Sequence, residues 1–161
     1  PYTDFPTIIN IMSVAGVDVG ALNHSKEFVA NWAPVCAKEI QNKLQNYLGN
    51  AMVQTGHKPP CKGVADKATW KHHTRMISGL VTVVPDSPDL LQAFLTGTDI
   101  CPHGSGDDMT ASLVNTWETF ITGSQYNGLA ADGATLHCNV GKKLATHFGR
   151  RGHDDYDPLH K

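Results

Sequence analysis

The segment DKATWKHHTRMISGLVTVV, residues 66–84, decides the fold class, because it contains a helical spacing followed by a short β-branched run. Four of its side chains recur at helical spacing and share one face: Trp70, His73, Ile77 and Leu80. The run from Val81 to Val84 is β-branched, but no second run of this kind offers it a strand partner. The spacing therefore predicts a helix over 66–80, followed by an extended segment that lines the core.

Helical spacing dominates on both sides of this segment. Further helices are predicted over residues 5–12, 25–52 (with a kink or break at Pro34), 87–95, 107–121 and 132–148. We therefore expect a single all-α domain over residues 1–149, built as an irregular bundle of five to six helices. Residues 150–161 have no periodicity and few apolar groups, so they are predicted to form a polar C-terminal tail with a dibasic cleavage point at Arg150-Arg151.

The cysteine pattern predicts disulfides. Four cysteines, Cys36, Cys61, Cys101 and Cys138, are widely spaced and form no C-x-x-C pair. An even count without such a pair favours two bridges over a zinc site, although spacing alone leaves three pairings open. Because the chain also opens at Pro1 with no initiator Met, we expect an exported, extracellular protein.

The formal net charge of −2 gives no strong field toward nucleic acid or an anionic membrane, so nucleic-acid binding is not expected. The apolar runs are too short to span a bilayer. One sequon, Asn23-His24-Ser25, is a candidate glycosylation site.

Candidate catalytic residues come from two patterns. His73 and His147 each lie on a predicted apolar stripe, where two inward imidazoles could line one cavity. His103 with Asp107 and Asp108 forms a second cluster, although capping of the following helix also explains the two carboxylates.

The tail holds a candidate metal site. Its cluster of imidazoles and carboxylates could bind a divalent cation, through the residues His153, Asp154, Asp155, Asp157 and His160. A solvated terminal segment accounts for the same composition without a metal.

The chain contains no signature of a named enzyme class. The sequence therefore favours an exported helical binding protein. Such a protein would hold a small apolar ligand between helices, or act on a protein or cell-surface partner as a toxin or effector. The alternative is a hydrolase that uses converged His and Asp groups, with or without a metal. A closed apolar cavity would favour the first, and titratable groups meeting in an open cleft would favour the second.

Overall fold

The computed structural model describes residues 5–16, 26–53, 56–70, 73–84, 87–150 and 152–156. These residues form five helices and a five-stranded mixed sheet, so the all-α prediction is wrong. The chain divides into two units, residues 1–43 and residues 44–161. Among the described residues, no helix is long and apolar enough to cross a membrane.

The first unit is helical, as the spacing predicts. Helix α1 covers Phe5–Val14, and helix α2, Lys26–Asn50, continues from this unit into the second. Pro34 lies inside α2 without dividing it. The rings of Phe28 and Trp32 lie one turn apart, with centroids 5.9 Å from each other.

The second unit is organised around the sheet. Strands β1 (Cys61–Trp70), β2 (His73–Val84) and β3 (Ser87–Cys101) form an antiparallel meander. Strand β4 (Tyr126–Ala131) pairs with β1 in parallel, and the short β5 (Asp155–Tyr156) pairs with β4 in parallel. The strand order is therefore β3-β2-β1-β4-β5.

The helix predicted over 66–80 is wrong because a period of two competes with the helical spacing there. Met76, Ser78, Leu80 and Thr82 are all buried on one face of β2, and the residues between them point to the other face. The partner strand was hidden because its inward positions are Cys61, Gly63 and Ala65, none of them β-branched. The helix predicted from Ser87 is likewise a strand, β3, in which the consecutive apolar residues face opposite sides of the sheet.

Helices cover one face of this sheet. Helix α3, Gly106–Trp117, confirms the helix predicted there and packs on β2 and β3, while α5, Val140–His147, packs on α3 and β4. The predicted helix over 132–148 is divided into α4, Gly133–His137, and α5, because Asn139 takes a left-handed backbone conformation with φ of 57°. Trp117 lies at the centre of the core and donates from its indole nitrogen to Thr96 Oγ1 at 3.2 Å.

The cysteines are not paired, so the two predicted disulfides are wrong. Cys61 and Cys101 are buried as free thiols, Cys138 is half-buried, and Cys36 is exposed on α2. The unit around the sheet buries seventeen apolar residues, a core large enough to need no covalent staples. The predicted disulfides are the main support for secretion, and the free thiols remove that support.

The segment 152–156 lies against β4. Asp154 Oδ1 accepts a hydrogen bond from the Leu129 amide at 3.1 Å, and the His153 amide donates to the Asn127 carbonyl at 3.4 Å. Gly128 and Gly152 allow the two backbones to approach closely, since a Cβ on either would overlap the other segment. This seating brings β5 to the edge of the sheet.

Candidate functional site

An open groove of about 620 Å³ lies along the sheet, lined by residues of all five strands. Its floor includes the side chains that alternate with the buried core positions. Val64, Ile77 and Leu95 are 38%, 41% and 70% exposed, an unusual degree for apolar side chains in the middle of strands. Among the described residues that line the groove, three are carboxylates, Asp66, Asp132 and Asp155, and none is Lys, Arg or His.

The parallel register of β1 and β4 places two of these carboxylates side by side. Ala65 on β1 is the register partner of Ala131 on β4, and Asp66 and Asp132 are the next residues on each chain. Neighbouring strands lie about 4.8 Å apart, so the two aspartates leave the sheet as neighbours. Both line the same groove: Asp132 directly follows the carboxyl end of β4, and Asp66 lies within β1, where its parallel pairing with β4 stops.

Local hydrogen bonds orient each carboxylate. Asp132 is the N-cap of α4 and accepts from the Thr135 amide at 2.8 Å through Oδ1. Asp66 Oδ1 accepts from the amide of Lys67, also at 2.8 Å.

The third carboxylate, Asp155, has a different environment. It forms an ion pair with Lys62, which is on the same face of β1 as Val64 and Asp66, and it lies 3.1 Å from His153 Nε2. The hydrogen bond from Lys62, with the charges of Lys62 and His153, lowers the pKa of Asp155 below its ordinary value. Asp155 therefore lines the groove as a carboxylate that is already paired with Lys62.

The histidine pair proposed from the sequence is not assembled in the described residues. His147 is exposed at the end of α5 and its Nε2 lies 2.6 Å from Glu118 Oε1, so the prediction of an inward imidazole is wrong. His73 lies in β2, but its side chain is outside the described residues. His147 and Glu118 line a small separate cleft with Thr122 and Phe148.

The second predicted cluster has a structural role. Asp108 forms a capping box with Ser105 at the start of α3, and the hydrogen bond from the Ser105 hydroxyl lowers the pKa of Asp108. Asp107 forms an ion pair with Lys143 at 2.6 Å, and His103 is exposed in the preceding loop. The capping interpretation of this acidic pair is therefore confirmed for Asp108.

The metal site predicted in the tail is not supported. Asp154 accepts from a backbone amide of β4, and Asp155 pairs with Lys62, so these carboxylates already have partners. Asp157 and His160 lie outside the described residues, as does the sequon at Asn23. Within the described ranges, no group of three or more potential ligands is placed to hold a metal ion.

Comparison with known proteins gives no relative from which a role could be transferred. No family model matches the chain, and no curated protein matches it in sequence.

Sequence reasoning missed both Asp66 and Asp132. One signal could have indicated them: the triplets Val64-Ala65-Asp66 and Ala130-Ala131-Asp132 each end a small, apolar stretch in a carboxylate. Small residues allow strands to approach a ligand or a neighbour closely.

Proposed function

We propose that the groove is the active site of a hydrolase in which Asp66 and Asp132 act together as an acid–base pair. One observation carries the proposal: the register of β1 and β4 brings these two carboxylates next to each other in an open cleft. This is the arrangement expected of the hydrolase alternative, with carboxylates in place of the predicted histidines.

Two neighbouring carboxylates can divide the work of hydrolysis. One, ionised, removes a proton from water as the water oxygen attacks the substrate, and the other, protonated, donates a proton to the leaving group. Asp132 suits a fixed role because the cap bond to Thr135 orients it. The apolar floor around Val64 and Ile77 excludes water on one side and holds the rest of the substrate.

The proposal is tested by hydrolysis of a chromogenic panel: p-nitrophenyl phosphate, bis-p-nitrophenyl phosphate, p-nitrophenyl acetate and p-nitrophenyl glycosides. Asp66→Asn and Asp132→Asn should each lower kcat about 100-fold or more, the usual contribution of a general acid or base. Asparagine is also a good N-cap, so Asp132→Asn should preserve α4.

Asp99→Asn is the matched control. Asp99 also lies on a strand and accepts from the next backbone amide at 2.8 Å, but it does not line the groove. The assays are run with and without Mg²⁺. A requirement for Mg²⁺ would support a metal-assisted form of the same reaction, since Mg²⁺ is often held by one or two carboxylates together with the substrate. Absence of turnover across the panel, or equal activity of all three variants, would overturn the proposal.

A second candidate is binding of a small apolar ligand without turnover. The specific observation in its favour is the exposed apolar floor, in which Leu95 is 70% exposed. Saturable binding of an apolar fluorescent probe that is weakened by Leu95→Ser and unaffected by Asp66→Asn, with no turnover, would favour this role.

An extracellular location remains an untested prediction.

A further inference from the structure

A cation lies diagonally across the sheet from the carboxylate pair. In the antiparallel register of β1 and β2, Asp66 is opposite Ile77 and Ala68 is opposite Arg75. Side chains two residues apart on a strand share a face, so Arg75 is on the same face as Ile77 and Asp66. Diagonal neighbours of this kind are about 7–8 Å apart, within reach of a long side chain.

Arg75 is exposed, and its register neighbours on both sides are apolar: Ala68 on β1 and Ile100 on β3. The part of the chain that the structure describes gives Arg75 no ion pair, although Asp66 is its diagonal neighbour. The nearby cation Lys62 is engaged by Asp155. Within the described ranges, Arg75 is therefore a cation beside Asp66 that remains available to a ligand.

We propose that Arg75 forms an anion subsite beside Asp66, and that the substrate of the groove carries a phosphate or carboxylate group at this position. The substrate part of this inference rests on the proposed hydrolase function. A guanidinium presents a planar fork of donors that matches either anion in two parallel hydrogen bonds. Its charge also offsets the repulsion that Asp66 and Asp132 would exert on an anionic substrate.

The geometry gives Arg75 a role in specificity. Arg75 does not itself line the groove. A substrate held by its anionic group at Arg75 would enter the groove past Asp66, the diagonal neighbour of Arg75, and extend toward Asp132. A neutral ester would lack this anchor. We therefore expect Arg75→Gln to raise KM for anionic substrates at least tenfold and to leave KM for p-nitrophenyl acetate unchanged.

Binding can be measured without catalysis. The full ¹⁵N-labelled chain is titrated with inorganic phosphate and, separately, with acetate at constant ionic strength, and amide shifts are followed. We expect saturable shifts near Asp66, Arg75 and Ile77. Whichever anion binds more tightly identifies the anionic group of the substrate.

The variants separate the subsite from the catalytic pair. Arg75→Gln should weaken anion binding at least tenfold, and Arg75→Lys should retain part of it. Lys142→Gln, which removes the same charge from an exposed position on α5, should leave it unchanged. Asp66→Asn should keep or strengthen anion binding while losing hydrolysis, so the two proposals can fail independently. Saturation by neither anion, or equal binding by Arg75→Gln and the parent, would overturn the inference.

Discussion

Gly63 lies directly against the indole of Trp117, and a Cβ at this position would overlap the ring. Gly63 is an inward position of β1, and Trp117 is fully buried at the end of α3. Because Gly63 has no side chain, Trp117 at the end of α3 can pack closely on β1. This packing covers one face of the sheet.

Gly63→Ala should destabilise the protein by about 1–3 kcal/mol, because the added methyl group would overlap the ring of Trp117, which is buried and has little room to move. Urea unfolding measures the change. Gly49→Ala is the control, since Gly49 lies in α2 with open space around its Cα and alanine favours a helix. Equal stability of Gly63→Ala and the parent would mean that α3 does not pack on β1 in this way.

All four cysteines should titrate as free thiols in denaturant. In the native protein the exposed Cys36 should react first, whereas burial raises the pKa of Cys61 and Cys101 and slows their reaction. Ellman's reagent with and without guanidinium gives both measurements. Finding fewer than four thiols in freshly denatured protein would restore the disulfides.

Asp154→Ala should destabilise the protein by about 1 kcal/mol or more, because the Leu129 amide loses its acceptor. Asp154→Asn keeps an acceptor oxygen and should retain most of the stability. If both variants unfold at the same urea concentration as the parent, the segment 152–156 does not contribute to the fold.

The ion pair between Lys62 and Asp155 should give a pH-dependent contribution to stability. The folded pKa of Asp155 is lowered from its ordinary value of 3.8, so the contribution is present above the unfolded pKa and is lost as pH falls through the folded pKa. Thermal melts of the parent and Asp155→Asn should differ at pH 6 and converge as the pH falls below the folded pKa of Asp155. Lys62→Met should behave similarly, and a difference that persists unchanged at low pH would exclude the pair as its source.

How much the sequence could predict differs along the chain. Helices α1, α2 and α3 have apolar residues at helical spacing, and this spacing predicts them. In α3 the same residues, Met109, Leu113 and Trp117, are buried, so local periodicity and tertiary packing agree there. The sheet was missed because β1 packs through Gly63 and Ala65, which carry no β-branched signal. In β3 the consecutive residues Leu90 and Leu91 lie on opposite faces of the sheet, and two consecutive leucines also fit a turn of helix.

The candidate site could not be derived without the sheet. Asp66 and Asp132 are distant along the chain and become neighbours only through the parallel register of β1 with β4. Parallel strands pair through long crossover connections, so no local pattern records their register. Imidazole chemistry is recognisable in a sequence, but burial is not, and His147 is exposed and bonded to Glu118.

The most direct test of the central claim is a double-mutant cycle on kcat/KM with Asp66→Asn, Asp132→Asn and the double variant. If the two carboxylates act as one acid–base pair, the double variant should lose little more activity than the worse single variant, because groups that act as a unit are strongly non-additive. Losses that multiply, or a double variant that retains the parent rate, would contradict the pairing of Asp66 with Asp132 in catalysis.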